Sequence, residues 1–173
     1  MFHVSDILPH CTDRILHVEK ERTELIKILG RKEAFQQHLK WHMDFGRQSG
    51  HTVAAITLWL LLTSTGRQAF YTTYNLNMLQ GGKDILRQIQ RGELISPRSS
   101  EPVCSYDWRK IFENNAITPG TFEANWRECA MIHRNACKIP AGAIAIVDSV
   151  CFMTPRMMAD LFECDPTMVI CFQ

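Results

Sequence analysis

The run at residues 52–62, TVAAITLWLLL, constrains this chain more than any other segment. It has no charge and no polar face. A membrane-crossing helix needs about 20 apolar residues, so the run is too short to span a bilayer. A helix that is apolar on all sides is a buried one. The pattern therefore predicts a core helix, extended to about residues 51–79, with a kink at Gly66 and a stop at Gly81-Gly82. A short amphipathic helix over 84–91 follows, with Ile85, Leu86 and Ile89 on one face.

Upstream, Ile15, Val18, Leu25, Ile28 and Leu29 recur at helical spacing between charged residues. Thr12 or Asp13 is a candidate cap. The polar stretch 46–50 separates this helical segment from the core helix. Strand-like alternation is nearly absent, and the fold class expected is all-α: a long N-terminal helical hairpin plus a C-terminal cluster of short helices. Residues 96–103, SPRSSEPV, read as a linker, dividing a region 1–95 from a subdomain 104–173. In the subdomain, proline follows Thr118, Ile139, Thr154 and Asp165. Proline suits the first helical position because its missing N–H would be unpaired there, and threonine or aspartate before it supplies a cap.

The net charge of +1 gives no global electrostatic case for nucleic acid or anionic membrane. The segments before and after residue 100 carry +4 and −3, a mild asymmetry. Seven cysteines, an odd number with no C-x-x-C pair, argue against a disulfide framework and for a reducing compartment. The N-terminus lacks a basic start followed by an apolar run, so no secretory signal is read. The localisation expected is cytoplasmic.

Two segments have the arrangement of a helix pair joined by a tight turn. In 154–169, TPRMMADLFECDPTMV, Ala159 stands at the crossing, Glu163-Cys164 at the turn, Asp165 at the cap and Val169 at the anchor. This segment resembles the helix-turn-helix of bacterial transcription regulators, departing from it at Glu163 and in an almost wholly apolar second helix. In 105–135, the run ITPGTF resembles the turn and recognition-helix start of the same regulators. There the resemblance implies DNA contacts from Thr118, Thr121, Asn125, Arg127 and Arg134, residue types that suit phosphates and base edges. Phe112 departs from the small residue expected at the crossing, and Asp107, Glu113, Glu123 and Glu128 oppose phosphate. Residues 153–172 are also similar in pattern to the small subunit of flagellar master activators, which pairs with a larger DNA-binding partner.

An apolar last helix carrying Met168, Val169, Ile170 and Phe172 would be costly to expose, so these four are the candidate interaction residues, for a protein partner or a homo-oligomer. His38 and His42, four apart, would share a helix face and could chelate a metal with a third ligand. They lack the Glu of H-E-x-x-H, Leu39 standing in its place. Cys129 and His133 form a weak catalytic pair without an orienting group. There is no G-x-S-x-G, no Walker loop and no G-x-G-x-x-G. The sequence thus predicts a non-catalytic regulatory or adaptor protein without a cofactor or assigned metal, and with double-stranded DNA as a candidate partner. Its alternatives are a structural or inhibitory component of a larger complex and a small metal-dependent enzyme.

Overall fold

The computed structural model describes residues 4–44, 50–91, 126–128 and 139–173. The order of elements is α1 (Val4–Leu29), α2 (Arg31–Ala34), a π-helical turn (Phe35–Leu39), β1 (Lys40–Met43), α3 (His51–Ser64), β2 (Ala69–Thr73), α4 (Leu76–Arg91), β3 (Trp126–Glu128), β4 (Ile144–Asp148), a 3₁₀ turn (Val150–Phe152), α5 (Pro155–Glu163) and β5 (Met168–Phe172). The strands form one sheet in the order β1-β5-β4-β2-β3, and every neighbouring pair is parallel.

The all-α expectation is therefore overturned: the fold is α/β. The physical reason lies in β2, β4 and β5, in which all five residues are buried. Strands of a parallel sheet are covered on both faces and read as short continuous apolar runs rather than alternating ones. Periodicity cannot tell such a run from a piece of buried helix. AFYTT, IAIVD and MVICF are runs of this kind. "Helical" describes only the layers around this sheet.

The core helix is correct in kind and too long in extent. α3 is buried from Ala54 to Leu60, but it stops at Ser64, and Gly66, with φ +78°, turns the chain into β2 instead of kinking a helix. Trp59 fixes this turn by donating from Nε1 to the Ala69 carbonyl at 3.0 Å. α1 forms, but it begins at Val4 and runs through Pro9, ahead of the cap expected at Thr12 or Asp13; it buries Cys11, Ile15 and Val18 and leaves Ile28 and Leu29 exposed. It runs beside the β1 edge. Cys11 Sγ lies 3.5 Å from Met43 Sδ at one end of β1, and Arg22 reaches Asp165, before β5, at 2.8 Å. Burial pushes the thiols of Cys11 and Cys171 up to about 12, as expected of cysteines that act as small core groups.

α5 begins as the sequence predicts. Thr154 Oγ1 accepts from the Met157 amide at 3.2 Å, and Pro155 takes the first helical position. The second helix expected after it does not exist. Asp165, at φ 52°, turns the chain, and residues 168–172 enter the sheet between β1 and β4. The apolar face that would have called for a covering partner is the middle of the sheet.

Parallel β-α-β connections are almost always right-handed. In this strand order that rule puts α3 and α4 on one face of the sheet and α5 on the other, and α3 and α4 do pack together. The helices that follow β4 and β2, which are neighbours, thus leave toward opposite faces. That is a topological switch point, where open α/β sheets form a crevice at the carboxyl ends of their strands. Among the described residues no helix is long and apolar enough to cross a membrane.

Candidate functional site

At this carboxyl edge the polar side chains of three elements converge. Asp148 ends β4 and is fully buried. Tyr71, one strand away on β2 and also fully buried, donates its hydroxyl to Asp148 Oδ2. Ser149 donates to Asp148 Oδ1 at 3.4 Å. His51, the first residue of α3, brings Nε2 to 3.5 Å from the same Oδ1 and to 3.4 Å from Ser149 Oγ. Thr73, the register partner of Asp148 on β2, is fully buried as well.

Local backbone sets each of these positions. Gly50 precedes α3 at φ +78°, a left-handed conformation that glycine adopts freely. A Cβ there would meet nothing within 4 Å, so the constraint is conformational and not steric. Ser149 is left-handed too, at φ 61° and ψ 50°. For a residue with a side chain that costs about 1–2 kcal/mol. The turn is held by the Phe152 amide, which donates to the Ser149 carbonyl at 3.0 Å, and by the Met153 amide on the Val150 carbonyl at 2.9 Å. It keeps the Ser149 hydroxyl beside the carboxylate.

A serine, a histidine and an aspartate within 3.5 Å of one another suggest a nucleophile relay. The geometry argues against one. In a relay the histidine takes the serine proton on one ring nitrogen while the carboxylate holds the opposite nitrogen. Here both oxygens crowd Nε2, and Nδ1 is buried without a hydrogen-bond partner. Ser149 is only 4% exposed, which leaves little room for a substrate carbonyl.

A different pattern fits the connection between β1 and α3. The phosphate-binding loop, G-x-x-x-x-G-K-[ST], joins a strand to a helix, and its last two residues open the helix. Residues 45–52 read FGRQSGHT. Gly50 and Thr52 match the pattern, while Phe45 replaces its first glycine and His51 its lysine. Two of the four fixed positions thus match. In the structure a strand precedes this segment, a helix follows it and a buried acid ends β4. In phosphate-loop proteins the hydroxyl that follows the lysine, together with an acidic residue at a strand end, holds the magnesium ion. Here Thr52 stands in the first turn of α3 and Asp148 at the end of β4.

The sequence-predicted site residues fall elsewhere. Thr118, Thr121, Asn125 and Arg134 lie outside the described residues. Arg127 stands in β3, paired with Thr72, so the stretch read as a recognition helix is a strand at 126–128. Met168, Val169, Ile170 and Phe172 are fully buried in β5. His38 lies in the π-helical turn and His42 in β1, so the shared helix face expected of them is absent. Burial, helped by Lys40, lowers the His42 imidazole below its ordinary value. Among the described residues no three His, Cys, Asp or Glu side chains group as metal ligands. No protein family, curated protein or solved structure matches the chain.

Proposed function

We propose that this protein binds a nucleoside polyphosphate with a divalent cation at the carboxyl edge of the sheet. One observation carries the reading: His51 and Thr52 open α3 directly after a positive-φ glycine, on the connection leaving β1, and His51 faces the buried carboxylate that ends β4. The first amides of a helix point toward an incoming anion, and the helix dipole favours negative charge there. α3 has no side-chain cap and no acid in its first turn, so nothing of its own competes for that position.

The oxygen donors suit a small hard cation, which prefers carboxylate, hydroxyl and phosphate ligands. Each Asp148 oxygen has two lone pairs. Tyr71 and Ser149 use one on each oxygen and leave acceptor capacity for a metal. A carboxylate buried this completely also needs a counter-charge. The cation would be held by Asp148 and the Thr52 hydroxyl, and it would screen the repulsion between Asp148 and phosphate. His51 stands where the pattern has lysine and supplies an N–H in its place.

The test is titration of the protein with fluorescent adenosine and guanosine triphosphates, with and without magnesium. The expected result is saturable, magnesium-dependent binding that weakens at least about tenfold in Asp148→Asn, the loss of one charge-assisted contact. Circular dichroism of the variant checks that it is folded. An absence of binding to either triphosphate at millimolar magnesium, or binding unchanged in Asp148→Asn, rules the reading out.

A further inference from the structure

Four large apolar side chains stand exposed among the described residues: Leu16, Ile28, Leu29 and Phe152. The first three belong to α1. Phe152 is the aromatic one, 62% exposed, and it lies at the carboxyl edge of the sheet, in the 3₁₀ turn that follows β4. Its ring has a neighbour. Tyr74, the residue after β2, places its ring centroid 4.8 Å from that of Phe152, with 34° between the planes. That separation lies in the favourable range for aromatic pairs. The pair bridges the ends of β2 and β4, the two strands whose following helices leave toward opposite faces. Ligands of open α/β sheets bind at such a point.

The turn that presents Phe152 is the one that positions Ser149. The Phe152 amide donates to the Ser149 carbonyl at 3.0 Å, and Ser149 Oγ lies 3.4 Å from Nε2 of His51, the first residue of α3. The aromatic pair therefore stands one tight turn from the helix start read above as the phosphate site. Reaching it requires no buried cavity, since Phe152 is open to solvent. A lone exposed phenylalanine is ordinary on a protein surface. This one is backed by a second ring that is itself partly buried, and it is carried on a turn with a left-handed serine. That is the layout of a stacking platform, because every nucleobase offers a flat π-face to an aromatic side chain.

We infer that Phe152, backed by Tyr74, is the platform on which the base of the bound nucleotide stacks. This rests on the nucleotide reading above and adds where the base lies and what holds it. Stacking draws on ring area and not on hydrogen bonds to base edges. It therefore separates purines from pyrimidines, and adenine from guanine hardly at all.

The experiment is calorimetric titration, with magnesium, of adenosine, guanosine and cytidine triphosphates and of inorganic triphosphate into three proteins: the parent chain, Phe152→Leu and Phe152→Trp. Leucine keeps an apolar side chain without the ring, while tryptophan keeps a ring. The parent chain is expected to bind both purine nucleotides about tenfold more tightly than inorganic triphosphate, the size of one base–aromatic stack. The cytidine nucleotide should fall between them. Phe152→Leu should lose the purine advantage, with its affinity for inorganic triphosphate unchanged, and Phe152→Trp should keep it. Because the side chain is exposed, the thermal midpoint of either variant should change little. An undiminished purine advantage in Phe152→Leu overturns this inference and leaves the phosphate site standing. So does a parent chain that binds inorganic triphosphate as tightly as the nucleotides. Equal losses of nucleotide and inorganic triphosphate binding in Phe152→Leu assign Phe152 a structural role and also overturn it. No binding of any of the four ligands by the parent chain overturns both readings.

Discussion

His51 is where the local chemistry departs most from the pattern it resembles. Lysine offers a flexible ammonium with three donors, and histidine a short planar ring with one or two. The ring's Nε2 is engaged by Asp148 and Ser149, so His51 is tied to the strand end in a way a long lysine would not be. If its role is to meet phosphate, His51→Lys should tighten triphosphate binding by about tenfold, the gain of one charge-assisted hydrogen bond. His51→Gln, which keeps a donor without the charge, should not. Competition titrations of the two variants separate these outcomes, and equal affinities would remove His51 from the phosphate site.

At the scale of elements, α5 shows the most direct passage from sequence to structure. Thr154 and Pro155 announce its start, and the hydroxyl accepts from the Met157 amide as a cap should. Thr154→Ala is expected to cost about 1 kcal/mol, read as a lower denaturation midpoint with an unchanged slope. α3 was legible through its complete apolarity, and α1 and α4 only in part: α1 starts before the expected cap, and α4 runs from Leu76 through the Gly81-Gly82 pair expected to end a helix. The strands were not. In β5, MVICF carries no charge and no alternation, and the preceding Asp165-Pro166 looks like a helix start. What makes it a strand is the slot between β1 and β4, a tertiary fact. The site shared this fate. FGRQSGHT falls short of the full motif by two residues, and Asp148 is one acid among many until β4 places it opposite His51. Tyr71 and Thr73 gave no local signal, since their roles depend on strand register.

At the scale of the whole molecule, the sheet order makes β5 the element that joins β1 to the rest of the sheet. β1 lies on one side of it and β4 and β2 on the other, while α3 packs across β2, β4 and β5. All five β5 residues are buried. Each large apolar side chain buried this way contributes about 1.5–3 kcal/mol, which summed over the strand is comparable to the whole stability of a domain. Deleting residues 168–173 should therefore abolish cooperative unfolding rather than shift it. Thermal denaturation followed by circular dichroism tests this, and a sharp transition in the truncated protein would mean that β1 and β4 can close up without β5.

The placement of β5 also has a temporal consequence. A ribosome delivers the chain from its N-terminus at about 5–20 residues per second. β1, α3 and β4 are all made before the strand that sets their spacing. Until residue 172 has emerged, β1 and β4 have no strand between them, and each has a bare edge. Such edges readily pair with the wrong neighbour. The nascent protein thus passes through an interval in which its sheet lacks the strand between β1 and β4, and a chaperone that shields strand edges would find its client there.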